Sequence, residues 1–161
     1  KQAARTLNFL TEHEIESYPD LESRVAEITA ASTEAAAALK AAERRLAEMA
    51  VLIKDVTTCK ELHPLLQEYQ WAADKKQFRR KHEGTLILYE AAAKALKEQG
   101  IQKLPDLYAL KNEYKQLAEQ KKQLQQQYAE IKRQMQEYDI IKQNVDGILR
   151  TTPGKEQMQE R

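Results

Sequence analysis

The stretch Leu107-Tyr108-Ala109-Leu110-Lys111-Asn112-Glu113-Tyr114-Lys115-Gln116-Leu117 opens a ladder that continues through Leu124, Tyr128, Ile131, Met135, Tyr138 and Val145 to Leu149. Its steps alternate between three and four residues, and only Lys121 and Lys142 interrupt it. An apolar repeat averaging 3.5 residues is the seam of a coiled-coil-like helix. No Gly or Pro breaks the run between Leu107 and Asp146. A helix of that length extends roughly 60 Å at about 1.5 Å per residue and needs other helices to cover its stripe. The ladder therefore predicts an all-α, elongated antiparallel bundle, with Leu117 and Ile131 as central buried positions. Lys121 and Lys142 read as register-setting residues or as points where the seam meets solvent; for Lys142 the solvent reading is preferred.

Working outward, three further helices are expected. A short one spans about 2–14, with Ala3, Leu7 and Leu10 on one face. Ser17-Tyr18-Pro19-Asp20 then opens a second, over about 18–69: Ser17 fits an N-cap, Asp20 completes the box, and Pro19 is tolerated only in a first turn. Its stripe is Leu21, Val25, Ile28, Ala35, Leu39, Ala42, Leu46, Met49, Ile53 and Val56, and the alanines between Ala30 and Ala42 permit close helix approach. Pro64 is expected to kink or end it, because proline lacks the backbone donor and clashes one turn back. Gln70-Trp71-Ala72-Ala73-Asp74 reads as a reversal into a third long helix, about 74–98, capped by Asp74 and lined by Phe78, His82, Thr85, Tyr89, Ala92 and Leu96. Gly100 ends that helix, and Leu104-Pro105-Asp106 starts the last, about 106–149. These make one helical domain, 1–150, followed by a flexible tail, 151–161.

An internal echo links the two joints. Leu10, Ile15, Pro19, Asp20 and Leu21 recur as Leu96, Ile101, Pro105, Asp106 and Leu107, at a constant offset of 86 residues. Glu27/Glu113 and Met49/Met135 keep the same offset. The expectation is one helix-hook-helix joint used twice, with the Ile and Leu of each joint stapling the bend and Pro-Asp starting the outgoing helix.

Composition agrees with such a bundle. Charged residues make up 32% of the chain and aromatics 6%, which suits helices that each bury only a stripe. The 26 basic and 25 acidic residues nearly cancel, arguing against a whole-domain grip on nucleic acid. Cys59, the only cysteine, rules out an internal disulfide and fits a reducing cytosol. No run approaches the roughly 20 apolar residues of a membrane span. The chain starts without Met and in mid-pattern, and it reads as a piece of a longer protein.

No catalytic constellation emerges, and no cofactor, metal or small-molecule substrate is expected. His13, His63 and His82 lie far apart, and Cys59 sits on the core side between Val56 and Leu62. The strongest electrostatic feature is Lys75-Lys76-Gln77-Phe78-Arg79-Arg80-Lys81, placed where cations oppose the helix dipole. Lys75, Lys76, Arg79, Arg80 and Lys81 are thus the candidate phosphate contacts. A second group, Lys121-Lys122 with Lys132-Arg133, reads as an ordinary polar face.

From Lys54 onward the chain resembles the C-terminal helical region of relaxase/mobilisation nucleases of Gram-positive gut bacteria. The resemblance rests on Leu62-His63-Pro64-Leu65-Leu66-Gln67-Glu68-Tyr69, Lys75-Lys76-Gln77-Phe78, the run His82-Glu83-Gly84-Thr85-Leu86-Ile87-Leu88-Tyr89-Glu90-Ala91-Ala92, Lys103-Leu104-Pro105, and Asn144-Val145-Asp146-Gly147-Ile148-Leu149. Leu7 to His13 and Ile15 to Tyr18 resemble the segment where that region begins. In this family an N-terminal domain nicks the transfer origin with a tyrosine nucleophile and a histidine-bound metal, motifs without a counterpart here. The resemblance implies a non-catalytic, cytoplasmic bacterial accessory domain that assembles protein partners of the transfer complex or itself. Two alternatives are a weak, non-specific DNA-binding arm through the 75–81 cluster and a generic structural coiled coil.

Overall fold

The computed structural model describes residues 1–159, with side-chain surroundings through Thr151. The described residues form five helices and no strand: α1 (Gln2–Glu12), α2 (Tyr18–Trp71), α3 (Lys75–Lys81), α4 (Glu83–Glu98) and α5 (Leu107–Gln159). The fold is an all-α helical bundle. Three boundaries differ from expectation. The helix expected over 74–98 is broken at His82, where the rings of Phe78 and His82 lie 4.5 Å apart and Gly84, a weak helix former, follows. Pro64 lies inside α2, which continues to Trp71. The α5 backbone runs past 149 to Gln159, while residues 160 and 161 of the expected tail lie outside the described residues.

Where a single domain over 1–150 was expected, the chain divides into two compact units. Residues 1–40 and 122–161 form unit 1, and Ala41–Lys121 form unit 2. Each unit contains one hook, so each can close its own core.

In unit 1 the core is Phe9, Ile15, Leu21, Tyr138 and Ile141, with Leu10, Tyr18, Val25, Ile28 and Val145 packed against it. The buried face of α1 is Thr6 and Phe9; of the expected Ala3-Leu7-Leu10 stripe, Leu10 packs against the core while Ala3 is exposed and Leu7 is 65% exposed. The aromatic explains the rotation. Phe9 stacks on His13 at 4.0 Å and meets Tyr138 edge-on at 5.1 Å, which gains more than burying Leu7 would. Thr6 tolerates burial because its hydroxyl donates to the Gln2 carbonyl (2.9 Å) and accepts from Asn144 Nδ2 (3.2 Å). Tyr18 donates to Asp146 Oδ1 at 2.6 Å, and that bond is the main reason its phenol is pushed above the ordinary value. The polar residues of Asn144-Val145-Asp146 thus clamp α5 to α1 and to the start of α2, while Val145 enters the core.

In unit 2 the core is Met49, Val56 and Cys59 of α2, Ala92 and Leu96 of α4, and Leu110 of α5. The hairpin of α2 and α4 is therefore packed by α5, as the stripes required. Arg45 reaches Glu113 across α2 and α5 at 3.5 Å, with both side chains half exposed, so the pair adds little stability.

The ladder of α5 is less enclosed than expected. Leu110 and Tyr138 are buried, but Leu117, Leu124, Tyr128, Ile131 and Met135 are only half-buried, and Lys121 and Lys142 lie half-buried on the seam. In unit 1 the physical reason is length: α1 has 11 residues, about 16 Å at 1.5 Å per residue, and cannot cover the whole α5 segment. Truncating Leu117 or Ile131 therefore costs less than the roughly 2–5 kcal/mol of a fully enclosed side chain.

The two hooks share one hydrogen-bond pattern. In the first, the Ile15 amide donates to the Leu10 carbonyl (2.8 Å) and the Glu14 amide to Thr11 (3.2 Å). In the second, Ile101 donates to Leu96 (3.0 Å) and Gly100 to Lys97 (2.9 Å). This is a Schellman helix end, which places one residue in the left-handed region and brings the following apolar side chain onto the last turn. Those residues are Glu14 (φ 54°) and Gly100 (φ 77°), 86 positions apart. The outgoing helices start differently. Ser17 caps α2, its Oγ accepting the Asp20 amide at 3.3 Å, with Pro19 inside the first turn. Asp106 caps α5, its Oδ1 accepting the Tyr108 amide at 3.3 Å, with Pro105 still outside the helix. The echo is thus a repeated helix exit with two different helix entries.

A left-handed conformation costs roughly 1–2 kcal/mol for a residue with a Cβ and nothing comparable for glycine. Glu14→Gly should therefore raise the thermal midpoint and Gly100→Ala should lower it, each by a free energy of about 1 kcal/mol in denaturant titrations.

Candidate interaction surface

Two surfaces of unit 2 stand out. The first is the tip where α2 turns into α3. Trp71, the last residue of α2, is 88% exposed. Asp74 caps α3, its Oδ1 accepting the Gln77 amide at 3.1 Å, as the sequence anticipated. Because that cap fixes the phase of α3, Phe78 turns inward toward Tyr69 (5.9 Å) and carries Arg79 with it.

Arg79 is consequently not an available cation. Its two terminal nitrogens donate to both oxygens of Glu90, at 2.7 and 3.1 Å. The Arg79 bond holds the Glu90 carboxyl below its usual value, against a smaller upward push from burial. A forked pair of this kind is geometrically specific; here it ties α3 to α4. Lys75, Lys76, Arg80 and Lys81 are exposed and form no ion pair among the described residues. Lys76 and Arg80 are one turn apart on one line of α3. The structure thus leaves four of the five candidate cations facing solvent, with the exposed Trp71 shortly before them in the chain.

The second surface is α4 itself. Its inner face holds Leu86, Ala92 and Leu96. On the other side Ile87 is 50% and Leu88 63% exposed, with Gly84 and Ala91 also exposed beside them. A Cβ added to Gly84 would meet nothing within 4 Å. A surface helix normally carries charge opposite its core stripe, whereas the outer side of α4 sets Ile87, Leu88 and Ala91 among the exposed charges Glu83, Lys94 and Glu98. Sequence reasoning followed the inner stripe of this segment and passed over the outer one, although Gly84-x-x-Ile87-Leu88-x-x-Ala91 carries the same helical spacing.

The remaining features are ordinary. Of the group at Lys121-Lys122 and Lys132-Arg133, Lys121 is half-buried on the seam while Lys122, Lys132 and Arg133 are exposed; Arg133 pairs with Glu130 (2.6 Å) and Glu137 (3.8 Å), and Lys132 lies 5.3 Å from the Tyr128 ring centre. Cys59 is 3% exposed, and burial followed by the Asp55 charge raises its thiol pKa, so it is a packing residue rather than a nucleophile. Among the described residues no three His, Cys, Asp or Glu side chains group as metal ligands. Among the described residues no helix is long and apolar enough to cross a membrane. No family model, no curated protein and no solved structure matches this chain.

The Arg79–Glu90 pair has a definite pH signature. A depressed carboxyl contributes stability above its unfolded pKa and loses it as the pH falls through the folded value. The stability difference between the wild type and Glu90→Gln should be full at neutral pH and vanish as the pH falls below the ordinary Glu value of 4.5, followed by urea titrations across that range.

Proposed function

We propose that this chain is a non-catalytic helical accessory domain of a DNA relaxase acting in mobilisation of a conjugative plasmid or transposon, and that it assembles protein partners of the transfer complex. The observation that carries the assembly reading is the uncovered apolar side of α4. Burying it against another protein would recover the roughly 25 cal/mol per Å² that water contact forfeits. The relaxase assignment is supported by the residue resemblances given above. Several of those residues sit at structural joints: Pro105 precedes the α5 cap, and Asn144 and Asp146 form the clamps of unit 1.

The test separates assembly from chemistry. Ile87→Lys, introduced into a parent relaxase, should lower transfer frequency by tenfold or more while nicking of transfer-origin DNA by the purified parent is unchanged. The isolated chain should give no nicking with Mg²⁺ or Mn²⁺. Nicking by the isolated chain, or wild-type transfer by the variant, contradicts the proposal.

A second reading, an auxiliary DNA-binding arm, is favoured by the exposed Trp71, close in sequence to four exposed cations that form no ion pair among the described residues. Exposed aromatics and cations are the elements of sequence-tolerant nucleic-acid contact. Trp71 is the sole tryptophan, so its emission reports on the tip alone. Contact would change that emission at low salt, with a slope of about −0.9 per phosphate on duplex and −0.7 on single strands, and Lys76→Glu with Arg80→Glu would remove it. The assembly reading expects no change with either DNA.

A further inference from the structure

We infer that the outer side of α4 is a self-association surface, on which a second copy of this chain docks its own α4 antiparallel across a two-fold axis. The inference rests on the assembly reading above and names its partner.

Three observations on α4 point to a second copy. The first is the apolar stripe itself, Gly84, Ile87, Leu88 and Ala91, all exposed among the described residues. The second is the pairing of sizes along it. A two-fold antiparallel pair centred on Tyr89 sets the bulky Ile87 of one copy opposite the small Ala91 of the other, twice. Gly84, without a side chain, lets the helices close at the ends. Facing helices pack by such exchange of large for small residues.

The third is charge. Glu83 and Lys94 are both exposed and lie on the same flank of the stripe, since eleven residues make three turns plus about 20° of rotation at 3.6 residues per turn. In an antiparallel pair that flank faces its own copy, and a centre half a residue away, between Leu88 and Tyr89, sets Glu83 opposite Lys94; the two pairings differ axially by about 1.5 Å, which these long side chains span. Neither residue forms an ion pair within the chain among the described residues. The surface is therefore complementary to itself in shape and in charge, the condition for a closed two-fold interface.

A contact of about four helical turns is small beside the roughly 1,200–2,000 Å² of stable interfaces, so the dimer is weak and concentration-dependent. Sedimentation equilibrium of the full chain, from micromolar to millimolar, tests it. The wild type should show a monomer–dimer equilibrium. Ile87→Lys should abolish the dimer with an unchanged helical circular dichroism spectrum. Lys94→Glu should weaken it at least tenfold, and the double swap Glu83→Lys with Lys94→Glu should restore it to within about threefold. Monomer throughout the range, a dimer indifferent to Ile87→Lys, or no recovery in the double swap overturns the inference. A monomeric chain whose Ile87→Lys variant still impairs transfer would refute self-association and leave assembly with a different protein standing.

Discussion

The hydrogen bond from each hook isoleucine to the carbonyl five residues back, Ile15 to Leu10 and Ile101 to Leu96, is the constraint on which both units depend. It forces a short helix to stop and turns the next apolar side chain back over the last turn. That leaves the chain aimed along a new direction, in which a long helix can begin. Without it, α1 would have no reason to leave α2, and Phe9 would not reach Tyr138. In unit 2 the same device lets Leu96 and Ile101 join one core with Met49, Val56 and Leu110. The two exits differ in one respect: the second spends a glycine on the left-handed position, while the first strains a glutamate there.

Packing that follows from the hooks also explains what is left exposed. A bundle of narrow helices buries one stripe per helix, so any second apolar stripe stays outside. On α4 that second stripe is Gly84, Ile87, Leu88 and Ala91. The Arg79–Glu90 fork holds α3 beside this helix and fixes where the hairpin tip sits, so the exposed Trp71 and the four free cations are set by the same local geometry. Function is thus read from two surfaces rather than from an enclosed site.

Much of this was legible in the sequence, for reasons that are local. The stripe of α2 from Leu21 to Val56, the Asp74 and Ser17 caps, and the Gly100 exit all depend on residues within one or two turns of each other. The 86-residue echo announced the repeated hook. What escaped depends on partners distant in sequence. Phe9 turns inward because Tyr138 waits for it, and Thr6 is buried because Asn144 satisfies its hydroxyl. Arg79 is withdrawn from the basic cluster by Glu90, eleven residues on. The half-burial of Ile131 was hidden for a different reason: periodicity reports which face turns inward, not whether the covering helix is long enough.

Hydrogen exchange of single amides tests the central claim most directly. Ile15 and Ile101 lie outside any helix, in segments where free exchange would be the ordinary expectation, yet each donates to a carbonyl at the end of a helix that closes its unit's core. The account predicts that both amides are protected to the level of their cores, exchanging only when Leu21 in unit 1 or Val56 in unit 2 is released by unfolding. Exchange of Ile15 and Ile101 at the rate of freely exposed loop amides would contradict it.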